Sequence, residues 1–124
     1  MANKVKGERE VKAGENTYTL YYDMNALAEL EDQLDMKVGE IQKLFSQGIE
    51  GVGIKDLRAI FWAGLLHRFE DPEDFPTIRE AGKILSEASR EDFEAVTRAI
   101  GESFAAAFGD VDKKPKKKTE TKKK

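Results

Sequence analysis

The sequence predicts an α+β fold that is predominantly helical. An N-terminal β-hairpin comes first, then about five helices packed around a central apolar helix, then a disordered basic C-terminal tail. Three observations carry this expectation. Residues 54–69, IKDLRAIFWAGLLHRF, hold eleven Ile, Leu, Phe, Trp, Ala or Gly in sixteen positions, and a helix apolar nearly all round is normally enclosed by its neighbours. Residues 16–23, NTYTLYYD, alternate with a period of two, as a half-buried strand does. Residues 113–124 carry eight lysines and nothing to bury.

The 124 residues fit a single globular domain, 1–109, with a lysine-rich tail over 110–124. The last twelve residues hold eight of the 21 Lys+Arg and one of the 24 Asp+Glu, a net of +7. That leaves 13 basic against 23 acidic residues, or −10, in the first 112. An acidic body thus precedes a basic tail. There is no cysteine, so disulfides, thiolate nucleophiles and Cys-ligated metals are excluded. The start, MANKVKGEREVK, has no apolar h-region, and no apolar run reaches eighteen residues. No secretory signal and no membrane span are expected.

The hairpin is expected over 5–22. In VKGEREVKA, Val5 and Val11 alternate with charge; in the second strand Tyr18, Leu20 and Tyr22 share one face, and Thr17, Thr19 and Tyr21 the other. Ala13-Gly14-Glu15-Asn16 supplies the turn, with positive φ tolerated at Gly14 and Asn16. Helices are expected within 24–108. Asp23 caps the first, whose Leu27, Leu30 and Leu34 recur at i, i+3, i+7. Val38, Ile41, Leu44 and Phe45 repeat the spacing in a second, closed by Gly48, and GIEGVG (48–53) is a loop.

The central helix over 54–69 is about 24 Å long at ~1.5 Å per residue. Ile54, Leu57, Ile60, Phe61, Gly64 and Leu65 form one apolar arc, and Ala59, Trp62, Ala63, Leu66 and Phe69 a second. EDPEDFP (70–76), with two prolines and four acids, is an exposed connection. Thr77 to Glu80 has capping-box spacing and opens a helix bearing Ile78, Ala81, Ile84 and Leu85. Ser89 to Asp92 starts the last helix. Its stripe is Phe93, Val96, Ile100, Phe104 and Phe108, with Ala95, Ala99 and Ala106 admitting a close neighbour and Gly109 as its stop.

The catalytic inventory is thin. His67 is the one histidine, placed as a boundary residue, and Ser46, Ser86, Ser89 and Ser103 lie in no elbow motif. The acids 70–74 lack the spacing, glycine and terminal glutamate of a calcium loop. Gly51-Val52-Gly53 matches only the first half of a phosphate-binding fingerprint, with Asp56 at the third glycine position. No enzyme, cofactor or metal is expected. The basic tail (Lys113, Lys114, Lys116, Lys117 and Lys118) has no interleaved aromatic to stack on bases. It fits a solubilising or acid-docking segment better than specific nucleic-acid recognition.

Four stretches then combine. A hairpin leads into YYDMNALAELEDQLDMKVGEI (21–41), followed by LRAIFWAGLLHRFED (57–71), IREAGKIL (78–85) and VTRAIGESFAAAFG (96–109). This arrangement resembles the tail assembly chaperones of long-tailed bacteriophages, of the group shared with gene transfer agents. The N-A-L-x-E-L-E-x-x-L stretch (Asn25–Leu34), the L-R-A-x-x-W-A-G-L core (Leu57–Leu65) and the final A-F-G carry the match, over roughly residues 8–109. The lysine tail lies outside it. The resemblance implies a non-enzymatic protein of the host bacterial cytoplasm, missing from the mature virion. It would bind the tape-measure protein and keep it soluble while tail-tube subunits assemble. Many such chaperones are also made as a longer, frameshifted form, and runs such as Lys116–Lys118 are compatible with slippery adenine heptamers.

For a chaperone, a groove between the central and last helices is expected to hold the partner, with Trp62, Leu66, Phe69, Phe104 and Phe108 as candidate contacts. The tape-measure protein is the expected partner, with the tail-tube protein and a second copy as further candidates. Two readings of other classes stay open. One is a structural tail-tube or connector subunit that uses its hairpin for β-augmentation. The other is a nucleic-acid-binding adaptor that uses the tail.

Overall fold

A computed structural model describes residues 7–46 and 52–113. The elements follow the expected order: β1 (Arg9–Ala13), β2 (Asn16–Leu20), α1 (Met24–Leu34), α2 (Val38–Ser46), α3 (Ile54–Gly64), α4 (Ile78–Ser86) and α5 (Arg90–Lys113), with short 3-10 turns at Leu66–Arg68 and Pro72–Asp74. The protein is a mostly helical α+β fold in which five helices follow a two-stranded antiparallel hairpin.

The hairpin pairs Arg9 with Leu20, Val11 with Tyr18 and Ala13 with Asn16, so only Gly14 and Glu15 form the loop. Gly14 takes φ +67°, whereas Asn16 is the first residue of β2 and has no positive φ. A two-residue loop opened by a glycine at positive φ matches the twist of the strands it joins. Val11, Ala13 and Leu20 face inward and are buried. The inner face lies on α5, which runs back along β1: Glu87, just before α5, sits against Gly14 at one end, and Ser103 and Ala106 of α5 sit by Gly7 at the other. Val5 falls outside the described residues.

The helix starts follow local side-chain chemistry. Asp23 Oδ1 accepts from the Ala26 N–H at 2.8 Å. Thr77 and Glu80 form a reciprocal capping box, with Thr77 Oγ1 accepting from the Glu80 N–H and Glu80 Oε1 from the Thr77 N–H. Ser89 Oγ accepts from the Asp92 N–H. Each satisfies an N–H that the first helical turn leaves without a partner.

Helix α3 is the centre of the core. Seven of its eleven residues are buried, from Leu57 to Gly64 with the exception of Arg58. It packs α1 on one side and α4 on the other, and meets β2 and α5 beyond. The core continues through Leu27, Leu30, Ile41, Val96, Ile100 and Phe104. The expected stripe on α5 is thus the inward one, at least from Phe93 to Phe104. Of its small residues, Ala99 is buried and Ala106 meets Gly7, while Ala95 is exposed.

Three expectations are corrected. The central helix ends at Gly64 rather than at residue 69, because the end of the hairpin intrudes there. The Tyr21 N–H takes the Gly64 carbonyl at 3.1 Å, and the Tyr22 hydroxyl donates to the Ile60 carbonyl at 2.6 Å. The Gly64 carbonyl is thereby engaged by the hairpin, the Ile60 carbonyl takes the phenol besides, and the chain tightens into the 3-10 turn at Leu66–Arg68. Ile54 belongs to no buried arc; it stands in the first turn of α3, past the edge of the core. Gly109 does not stop α5, which runs to Lys113. A helix-interior glycine costs only about 1 kcal/mol relative to Ala. The proposed stop at Gly48 and most of the 48–53 loop fall outside the described residues.

Candidate functional site

Three of the five candidate contact residues are core. Trp62 is 7 %, Leu66 3 % and Phe104 1 % exposed. Phe104 packs edge-on against Tyr22, with ring centroids 5.3 Å apart. Trp62 donates its Nε1–H to the Pro76 carbonyl at 2.7 Å and sits edge-on to Phe75. Trp62, Leu66 and Phe104 are thus committed to the core and offer little surface to a partner. Phe108 lies on α5, but its side chain is outside the described residues.

Phe69 is placed differently. It is half-buried, sits edge-on to Phe75 and has the Arg68 guanidinium 5.6 Å above its ring. Phe69 and Phe75 form one wall of a cleft of about 490 Å³ between the N-terminal half of α1 and the connection to α4. Asp23, Asn25 and Glu29 line the opposite wall, with Glu70 and His67 beside the rings. An apolar floor with an acidic rim offers both apolar contact and charge to a basic, amphipathic segment. The residue the sequence reading missed is Phe75. Its place after Pro72 marked it only as loop, and its contact with Trp62 comes from the path of the connection.

His67 is held in this wall, with Nε2 3.0 Å from the Thr19 carbonyl and its ring edge-on to Tyr21. That contact makes Nε2 the donor, a role that fixes the hairpin to the end of α3. Burial pushes the Tyr22 phenol well above its usual range. Its bond to the Ile60 carbonyl makes this hydroxyl a structural donor. Ser103 is buried and donates to the Gly7 carbonyl, joining α5 to the start of the hairpin. Among the described residues no group of His, Asp and Glu has a metal-binding arrangement.

A second, shallower cleft of about 540 Å³ lies between α3 and α4. Ile54 and Arg58 of α3 face Arg79, Glu80, Gly82, Lys83 and Ser86 of α4. The two clefts differ in charge: acidic on the α1 side, basic on the α4 side. The basic tail is almost entirely beyond the described residues; Lys113 closes α5, and Lys114, Lys116, Lys117 and Lys118 are outside. Among the described residues no helix is long and apolar enough to cross a membrane.

Comparison with protein-family models, with curated proteins and with solved structures finds no match to this chain.

Proposed function

We propose that this protein is a non-enzymatic phage tail assembly chaperone that binds the tape-measure protein and keeps it soluble during tail morphogenesis. The observation that carries the reading is the pair of motifs at Asn25–Leu34 and Leu57–Leu65, which occupy α1 and α3. The partner site moves to the cleft between α1 and the α3–α4 connection, where Phe69 and Phe75 lie beside Asp23, Glu29 and Glu70. A tape measure is a long helical chain whose apolar stripes aggregate when bare. A shallow aromatic cleft with an acidic rim covers such a stripe reversibly and favours segments that also carry Lys or Arg. On this reading the protein acts in the host cytoplasm and leaves the tail before maturation.

The structural-subunit reading draws less support from the hairpin. The outward Thr19 carbonyl and Tyr21 N–H are already occupied by His67 and Gly64, so that edge offers few free groups for strand addition. Mass spectrometry of purified particles separates the two. A chaperone is missing from mature particles, whereas a tube or connector subunit is present in fixed stoichiometry.

A further inference from the structure

The basic cleft on the α4 side is chemically out of place on a body of net −10. Arg58, Arg79 and Lys83 converge there, and none has a hydrogen bond or ion pair with another described residue. The Nε–H of Arg58 is shut away from solvent without an acceptor. Its stem is fixed by α4: a Cβ on Gly82 would lie 2.8 Å from Arg58 Cδ. The one acid in the cleft, Glu80, is engaged in capping its own helix. Like charges held together repel, and an arrangement of this kind is relieved by an anionic partner.

The opposite flank has the complementary chemistry. Asp32 on α1 and Glu70, Asp71, Glu73 and Asp74 on the connection are all exposed. Among the described residues the most exposed large apolar side chains are Ile54, 74 % exposed, which borders the basic cleft, and Met24, 79 % exposed, which begins α1 on the side of the hairpin and α5. Helix α3 packs against both α1 and α4, which do not pack on each other to a comparable extent, so the two flanks are separate surfaces.

We propose that copies of this protein associate head to tail, the basic α3/α4 flank of one copy receiving the acidic α1 flank of the next. The flanks are opposite in charge, and each has apolar side chains beside its charges: Ile54 at the basic one, Phe69 and Phe75 at the acidic one. The two patches are different surfaces, so the contact is heterologous and can repeat. Exposed ion pairs contribute little singly, which makes the association weak, concentration-dependent and sensitive to salt. It does not depend on the chaperone reading.

The test is sedimentation velocity on the full chain at low ionic strength across a wide concentration range. The expected result is an average mass that rises with concentration and returns to monomer in high salt. Two variants at exposed positions, R79E/K83E and D32K/E70K, each weaken association by at least about tenfold. Circular dichroism checks that both are folded. Mixing them restores association, because each retains the flank the other has lost. A wild-type protein that stays monomeric throughout overturns the proposal, as does a mixture that fails to associate. Association lost in D32K/E70K but kept in R79E/K83E assigns the contact to the lysine-rich C-terminal segment, and overturns it equally.

Discussion

The Tyr22 hydroxyl donates to the Ile60 carbonyl at 2.6 Å, and one turn later Gly64 has no room for a side chain: a Cβ there would lie 2.9 Å from the Tyr22 oxygen and 3.0 Å from Leu20 Cδ2. The end of the hairpin and the end of the central helix are therefore built into each other. The phenol fits only because residue 64 is a glycine.

Gly64→Ala is expected to destabilise the protein by about 1–3 kcal/mol, the usual cost of overpacking, although alanine is the better helix former by about 1 kcal/mol. Denaturant unfolding measures it. Adding Tyr22→Phe removes the closest obstructing atom, so the double variant should lose less than the sum of the two single changes.

Tyr22 also predicts an alkaline limit. Its folded pKa lies far above the unfolded value of about 10, so the unfolded chain loses this proton first as pH rises. The contribution of this group to stability is constant below pH ~10 and falls above it. Tyr22→Phe removes that part of the decline while costing about 1 kcal/mol at neutral pH for the lost bond. Unfolding curves of both proteins from neutral to strongly alkaline pH show the two slopes.

The long connection between α3 and α4 depends on Trp62. Its Nε1–H holds the Pro76 carbonyl, and its ring meets Phe75. Trp62→Phe keeps most of the apolar volume but leaves that carbonyl without its donor, for a loss of about 1–2 kcal/mol. Hydrogen exchange should rise across 69–76 more than in α1 or α5.

What the sequence made legible was local. The caps at Asp23, Thr77 and Ser89 are bonds between residues three apart, and the α5 stripe is a period, so each was readable from spacing. The end of α3 was not, because it is decided by Tyr21 and Tyr22 at the far end of the hairpin. The candidate contacts divided for the same reason. Periodicity identified Trp62, Leu66 and Phe104 as apolar but said nothing of what covers them, and Phe104 meets Tyr22 while Trp62 meets Phe75. Phe75 in the acidic cleft and Arg58 in the basic one acquire their settings from segments distant in the chain. No spacing rule joins those segments.

The chaperone reading is tested most directly by co-expression with a long helical tape-measure protein, scored by how much of that product is recovered soluble. The wild-type chain should hold it in solution as a complex. Phe69→Ser, which removes an aromatic from the cleft wall without entering the core, should send most of it to the pellet while remaining folded itself. Equal solubility with and without this protein, or full rescue by the folded Phe69→Ser variant, would contradict the account.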